Sequence, residues 1–166
     1  GNLNDITYRA IETLKNVDIV LAEDTRHSKK LFSHFEIPTP LKAFHEHNER
    51  EKTESIISEL NSGISIALIS DAGTPLISDP GYFLVSNAKK EGIEVVPIPG
   101  PSAIITALSA SGLASNSFSF FGFLPSKKIA RIKYLQNKTT LNETIIFYES
   151  PKRILATLTD MLEVFG

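Results

Sequence analysis

Ser70-Asp71-Ala72-Gly73-Thr74-Pro75-Leu76-Ile77-Ser78-Asp79-Pro80-Gly81 follows directly on the apolar run Ile64-Ser65-Ile66-Ala67-Leu68-Ile69. Such a run predicts a buried parallel strand, and a small-residue loop at its carboxyl end is where open α/β sheets hold ligands. Gly73 lets a backbone approach a ligand closely, because no side chain intervenes. Asp71 and Thr74 offer polar contacts. Ser78 or Asp79 suits the N-cap of the next helix, with Pro80 in its first turn. Taken alone, an ordinary strand-to-helix connection accounts for the same residues equally well.

Working outward, strand and helix patterns alternate. Asn4 or Asp5 caps a first helix that ends near Asn16, and Val17–Ala22 reads as a strand closing on Glu23-Asp24-Thr25-Arg26. Thr25 suits the cap of a helix running to Phe35, which Pro38 and Pro40 stop. Leu41–Phe44 is a short strand, and Asn48 with Glu51 makes a capping-box variant for the helix that Gly63 ends. After a helix over about 79–91, Ile93–Ile98 reads as a further strand. Pro99-Gly100-Pro101-Ser102 then turns into a helix of small and apolar residues that ends at Gly112. The alternation predicts a parallel sheet with helices on both faces.

The character changes after Gly112. A polar break at Ser115-Asn116-Ser117 precedes an aromatic strand at 118–123, a helix carrying Lys127, Lys128, Arg131 and Lys133, a strand at 144–148 and a helix from Lys152. This divides the chain into an N-terminal α/β domain over 1–114 and a partial second α/β domain over 115–166. The opening Gly1-Asn2-Leu3-Asn4-Asp5 already leads into a helix, so the first strand of the sheet is expected to lie outside the sequence.

Composition sets limits. The 166 residues are 42% hydrophobic, enough for one domain or one and a fraction, and no apolar stretch is long enough to span a membrane as a helix. The absence of cysteine excludes disulfides and thiolate metal sites and fits a cytoplasmic location. A formal net charge of -2 excludes a global basic field, so any nucleic-acid contact must use local patches. His45 and His47 share a face on an extended segment but lack a third ligand at suitable spacing, so no metal is expected. A phosphoryl-transfer reading has no phosphate-loop motif behind it.

Five motifs stand in order: AEDTRHSKKL at 22–31, SDAGTPLISDPG at 70–81, PGPSA at 99–103, FGFLP at 121–125 and YESPKR at 148–153. In combination they resemble the ribosomal RNA small subunit methyltransferase I family, within the tetrapyrrole methylase superfamily, over nearly the whole chain. The resemblance implies S-adenosylmethionine bound between two α/β domains, a homodimer, and methylation of a cytidine ribose 2′-hydroxyl in small-subunit ribosomal RNA or the assembled small subunit. The family pattern begins earlier, with a strand and a Pro-Ile dipeptide ahead of Gly1. A small-molecule tetrapyrrole methylase, or a truncated fragment that only binds cofactor, is the competing reading.

The resemblance assigns Asp71, Ala72, Gly73 and Thr74 to the cofactor loop, with Ile77 as an apolar wall. Pro99, Gly100 and Ser102 match a second cofactor loop, although the same residues are ordinary helix-start chemistry. Leu124 and Tyr148 are candidates for an apolar slot, against the alternative of core packing. Methyl transfer to a hydroxyl is chiefly a positioning task, helped by a carboxylate that handles the proton. Glu23, Asp24 and Glu149 are the strand-end carboxylates. Asp24 and Glu149 are taken as catalytic, with Arg26 pairing with one of them or gripping phosphate; a structural ion pair joining loops is the alternative. Arg26, Lys29 and Lys30 form one basic cluster and Lys127, Lys128 and Arg131 another, both candidates for RNA phosphate contact.

Overall fold

Alternation along Ile19-Val20-Leu21-Ala22 sends Val20 to one face of a sheet and Leu21 to the other. In the computed structural model, which describes residues 2–166, these four residues are strand β1 (Ile19–Ala22). It is the centre of a three-stranded parallel sheet, flanked by β2 (Leu41–Ala43) and β3 (Ile66–Ile69). Ala22 pairs in register with Ala43 on one side and Ile69 on the other. The three strands therefore end level, and the loops that begin at Glu23, Phe44 and Ser70 leave the sheet side by side.

Helices α1 (Tyr8–Asn16) and α2 (Thr25–His34) cover the Val20 face, where Leu14, Val20, Phe32 and Ile37 form one core cluster. Helices α3 (Glu49–Asn61) and α4 (Tyr82–Lys90) belong to the other face, where Leu21, Phe44, Ile56 and Leu84 form a second. Burial of an apolar side chain of this size contributes about 1.5–3 kcal/mol. The two clusters, rather than strands of three and four residues, hold this sheet together. The expected parallel sheet with helices on both faces is what forms.

Helix starts depart from the sequence reading. Thr7, not Asn4 or Asp5, caps α1, its hydroxyl accepting from the Ala10 N–H at 3.1 Å; Leu3–Asp5 is a separate 3-10 turn capped by Asn2. Asp24, not Thr25, caps α2, since its carboxylate reaches the Arg26 N–H at 2.8 Å and suits the positive end of the helix dipole. Asn48 stands at the N-cap of α3 but its side chain makes no capping bond there; its Oδ1 accepts from the His45 N–H instead. Neither Ser78 nor Asp79 caps α4. Its N-cap is Gly81, and the capping acceptor comes from α3: Glu49 Oε1 accepts from the N–H groups of Gly81, Phe83 and Leu84 at 3.1, 2.9 and 3.3 Å.

The predicted strand at Ile93–Ile98 is the one element that fails to form. An extended segment becomes a strand only when a neighbour supplies a hydrogen-bond ladder, and no described strand pairs with it. Pro97 and Pro99 also have no N–H to donate.

The chain divides into two compact units after Ser102, ahead of the boundary near 115 read from composition, so that α5 (Ala103–Ser111) goes with the second unit. In that unit β4 (Phe118–Phe123) and β5 (Thr144–Tyr148) pair in parallel, with an irregularity between Phe120 and Phe123. Tyr148 packs against Phe120 and Phe123, and Phe121 stacks on Phe147. Helices α6 (Lys128–Gln136) and α7 (Ile154–Phe165) are tied by Arg131, whose guanidinium meets the Asp160 carboxylate at 2.6 and 2.7 Å and also donates to the carbonyls of Pro125 and Ser126.

Candidate functional site

Level strand ends place the Glu23–Arg26 and Ser70–Pro75 loops next to each other, and one hydrogen bond joins them: the Asp24 N–H donates to Asp71 Oδ1 at 3.2 Å. Asp71 thus does the work of a loop tie while lining a cavity of about 440 Å³. Ala72, Gly73 and Thr74 line the same cavity, as do Pro99 and Gly100 across from them. The two loops read as cofactor loops, distant in sequence, are therefore brought to one space. Ile77 and Ser102 are not among its lining residues; Ile77 is 45% exposed. The body of the cavity is apolar, walled by Ile6, Ala10, Leu14 and Leu31 and by β3 itself. Its volume is in the range of small-ligand sites.

The loop that follows is wound tightly. Gly73, Leu76, Ser78 and Gly81 all have positive φ, of 80, 73, 64 and 127°. For Leu76 and Ser78 this is a sparsely populated conformation that the surrounding packing must enforce. At Gly73 nothing lies within 4 Å of where a Cβ would stand, so that face of the loop is open. Gly81 is the opposite case, since a Cβ there would meet Leu68 at 2.6 Å and Leu76 at 2.9 Å.

The candidate catalytic carboxylates differ sharply in their surroundings. Asp24 is engaged by Arg26 through the backbone N–H at 2.8 Å, Nε at 3.2 Å and Nη2 at 3.1 Å, and these bonds hold its pKa down at about 2. The Arg26 guanidinium is pushed above its ordinary value by the same contact. Glu149 is buried, which raises its pKa, but Thr157 Oγ1 and the Ser150 N–H, each at 2.7 Å, and Arg153 at 2.6 Å outweigh burial and leave it lowered. Glu23 behaves in the other direction: burial, then the Asp71 and Asp79 carboxylates, raise it, against a hydrogen bond from the Asp71 N–H. Burial and Asp71 also raise Asp79, although a Ser70 hydrogen bond opposes them.

The basic clusters separate. Lys30 lines the cavity together with His27, whereas Lys29 borders an open groove beside α2 that includes Phe32 and Pro38. Arg26 is exposed. In the second unit Lys127 and Lys128 are exposed, and Lys128 lies 3.6 Å from both Asp160 and Glu163. Arg131, expected among the RNA contacts, is 4% exposed and committed to Asp160, so it is withdrawn from that set. Leu124 is buried and Tyr148 is part of the aromatic packing of its own unit.

A family model for tetrapyrrole (corrin/porphyrin) methylases matches residues 1–166. The chain belongs to the tetrapyrrole methylase family. Curated relatives named "Ribosomal RNA small subunit methyltransferase I" are 57% identical over all 166 residues in Vibrio cholerae, 57% in Pseudomonas aeruginosa and 51% in Synechocystis sp.. The chain spans 58, 59 and 60% of those three proteins. Two solved methylase-fold structures superpose with a TM-score of 0.67. One is a cobalt precorrin-4 methyltransferase, 15% identical, covering 99% of this chain and 71% of its own; the other is a diphthine synthase, 16% identical, covering 96% and 69%. At these identities the likeness is one of fold.

The donor set at the loop junction fits a sulfonium cofactor with an amino-acid end, a ribose and an adenine. The junction has apolar walls, the Asp71 carboxylate, the Ser70 and Thr74 hydroxyls, and an open backbone face at Gly73. The reading from sequence overlooked His27, Ser70 and Pro75 as lining residues. Ser70 and Pro75 flank the predicted loop, and His27 lies one turn into α2 on the side that Lys30 shares.

Proposed function

We propose that this chain is the cofactor-binding part of an enzyme that uses S-adenosylmethionine to methylate a cytidine ribose 2′-hydroxyl in small-subunit ribosomal RNA. The observation that carries the reading is the meeting of Asp71–Thr74 with Pro99 and Gly100 around one cavity, in a chain 57% identical to proteins named for methylation of that RNA. S-adenosylmethionine supplies the methyl group on a cationic sulfur. Asp71 and Thr74 orient it at the rim, Gly73 gives it backbone access, and Ile77 and Ser102 complete the loops as they adjust.

The Asp24–Arg26 pair fixes the first turn of α2 and presents Arg26, with Lys29 and Lys30, to RNA phosphate; Lys127 and Lys128 do so from the second domain. Glu149 acts by positioning the Tyr148–Arg153 segment. The enzyme is a cytoplasmic homodimer acting on free ribosomal RNA or on the assembled small subunit. Calorimetric titration of the full-length enzyme with S-adenosylmethionine tests the cofactor site. Saturable binding that a folded Gly73→Trp variant loses is expected, and unchanged binding by that variant removes the cofactor from this loop.

A further inference from the structure

Three carboxylates stand at strand ends, and two are already committed. Asp24 caps α2 and holds Arg26. Glu149 accepts from Ser150, Thr157 and Arg153. Glu23 follows the central strand, level with the ends of β2 and β3, and is half-buried beside the Asp71 and Asp79 carboxylates. It sits one residue from the bond that joins Asp24 to Asp71, at the crevice end of the sheet where ligands of open α/β folds lie.

A neighbouring group is left similarly uncommitted. His45 is the second residue of the loop after β2. Asn48 Oδ1 accepts from the His45 N–H at 2.9 Å, which turns the Asn48 amino group toward His45 Nε2 at 3.1 Å. Nε2 is then an acceptor, and in the neutral ring the proton sits on Nδ1. That nitrogen is buried and has no hydrogen-bond partner. An unmatched buried donor is costly.

We infer that Glu23 is the catalytic residue that accepts the proton of the attacking ribose hydroxyl. The inference rests on the methyltransferase reading above and deepens it. In the step, the ribose oxygen forms a bond to the methyl carbon as the carbon–sulfur bond breaks; the sulfur keeps that electron pair and becomes a neutral thioether. The hydroxyl proton passes to the Glu23 carboxylate and from there to solvent. Asp71, Asp79 and His45 are the titratable groups that act on Glu23. Burial and the two aspartates hold its carboxyl above the ordinary glutamate range, nearer the working pH, which suits a general base.

The test uses the full-length enzyme and its Glu23→Gln and Glu23→Asp variants. It has three readouts: S-adenosylmethionine affinity by calorimetry, single-turnover methyl transfer to small-subunit RNA from pH 5 to 9, and carbon-13 titration of the Glu23 carboxyl in the free enzyme. Expected are wild-type cofactor affinity in Glu23→Gln with transfer slowed roughly 10²–10⁴-fold, a smaller loss in Glu23→Asp, and a Glu23 carboxyl that titrates above its ordinary range and matches the acid limb of the rate profile. Wild-type transfer by Glu23→Gln, a loss that merely follows cofactor affinity, or an ordinary Glu23 titration overturns the inference. A wild-type enzyme that binds the cofactor yet methylates no RNA overturns the functional reading itself, and the inference with it.

Discussion

In the first unit the buried carboxylate of Glu49 is met by three backbone N–H groups at the start of α4. In the second, the buried carboxylate of Asp160 is met by the Arg131 guanidinium. The first arrangement uses donors that the helix would otherwise leave unpaired, and the negative charge suits the helix dipole. The second brings two full charges out of water and depends on both being present. The two units therefore differ in what a single substitution leaves behind: polar donors in one, an unmatched charge in the other.

Breaking the ion pair gives the largest effect. Arg131→Ala leaves Asp160, 2% exposed, without its guanidinium, and is expected to lower stability by about 3–5 kcal/mol. Urea unfolding measures this, and the double variant Arg131→Ala/Asp160→Asn is expected to recover a large part of the loss. A single variant that costs under about 1 kcal/mol, the range of exposed pairs, would remove the contrast between the units.

Next come the two supports of α4. Gly81→Ala places a Cβ against Leu68 and Leu76 at a φ of +127°, an overpacking expected to cost about 1–3 kcal/mol. Glu49→Ala leaves the three N–H donors unmatched, for about 1–3 kcal/mol, whereas Glu49→Gln, which keeps an acceptor oxygen, is expected to cost less. Thermal melts of the three variants rank them, and an equal loss in the Gln and Ala forms would mean that the hydrogen bonds to Glu49 do not matter. Thr7→Ala, the loss of an ordinary local cap, is expected to cost about 1 kcal/mol.

The smallest effect is one of pH. Asp24 is held at about 2 against an ordinary value of 3.8. A lowered folded-state pKa stabilises above the unfolded value, so its contribution is complete above 3.8 and is lost as pH falls toward 2. Carbon-13 titration is expected to find Asp24 near 2, and Arg26→Ala to return it toward 3.8.

These sites also mark how far the sequence could be read. The strands β1, β2 and β3 were legible because short apolar runs bounded by turn residues leave few alternatives, and their loops were legible as a site because parallel strands end on one side. What escaped depends on partners distant in the chain. Nothing near residue 80 announces that its helix is capped by Glu49. A cation on an amphipathic helix reads as solvated until a facing helix supplies an acid, as Asp160 does for Arg131. Ile93–Ile98 carries strand composition, but strand structure requires a ladder that composition does not contain. Among the strand-end carboxylates Glu23, Asp24 and Glu149, the sequence reading took Asp24 and Glu149 as catalytic, because the donors that engage those two are not visible in the sequence.

The Glu49 contact has a consequence for the order of folding. The groups that start α4 meet their acceptor across 32 to 35 residues of chain. A peptide covering α4 alone therefore lacks its nucleating partner and, at nine residues, is too short to be helical in water. In kinetic terms, Glu49→Ala is expected to slow refolding if the α3–α4 junction forms in the transition state, and to hasten unfolding with little change in refolding if it forms afterwards.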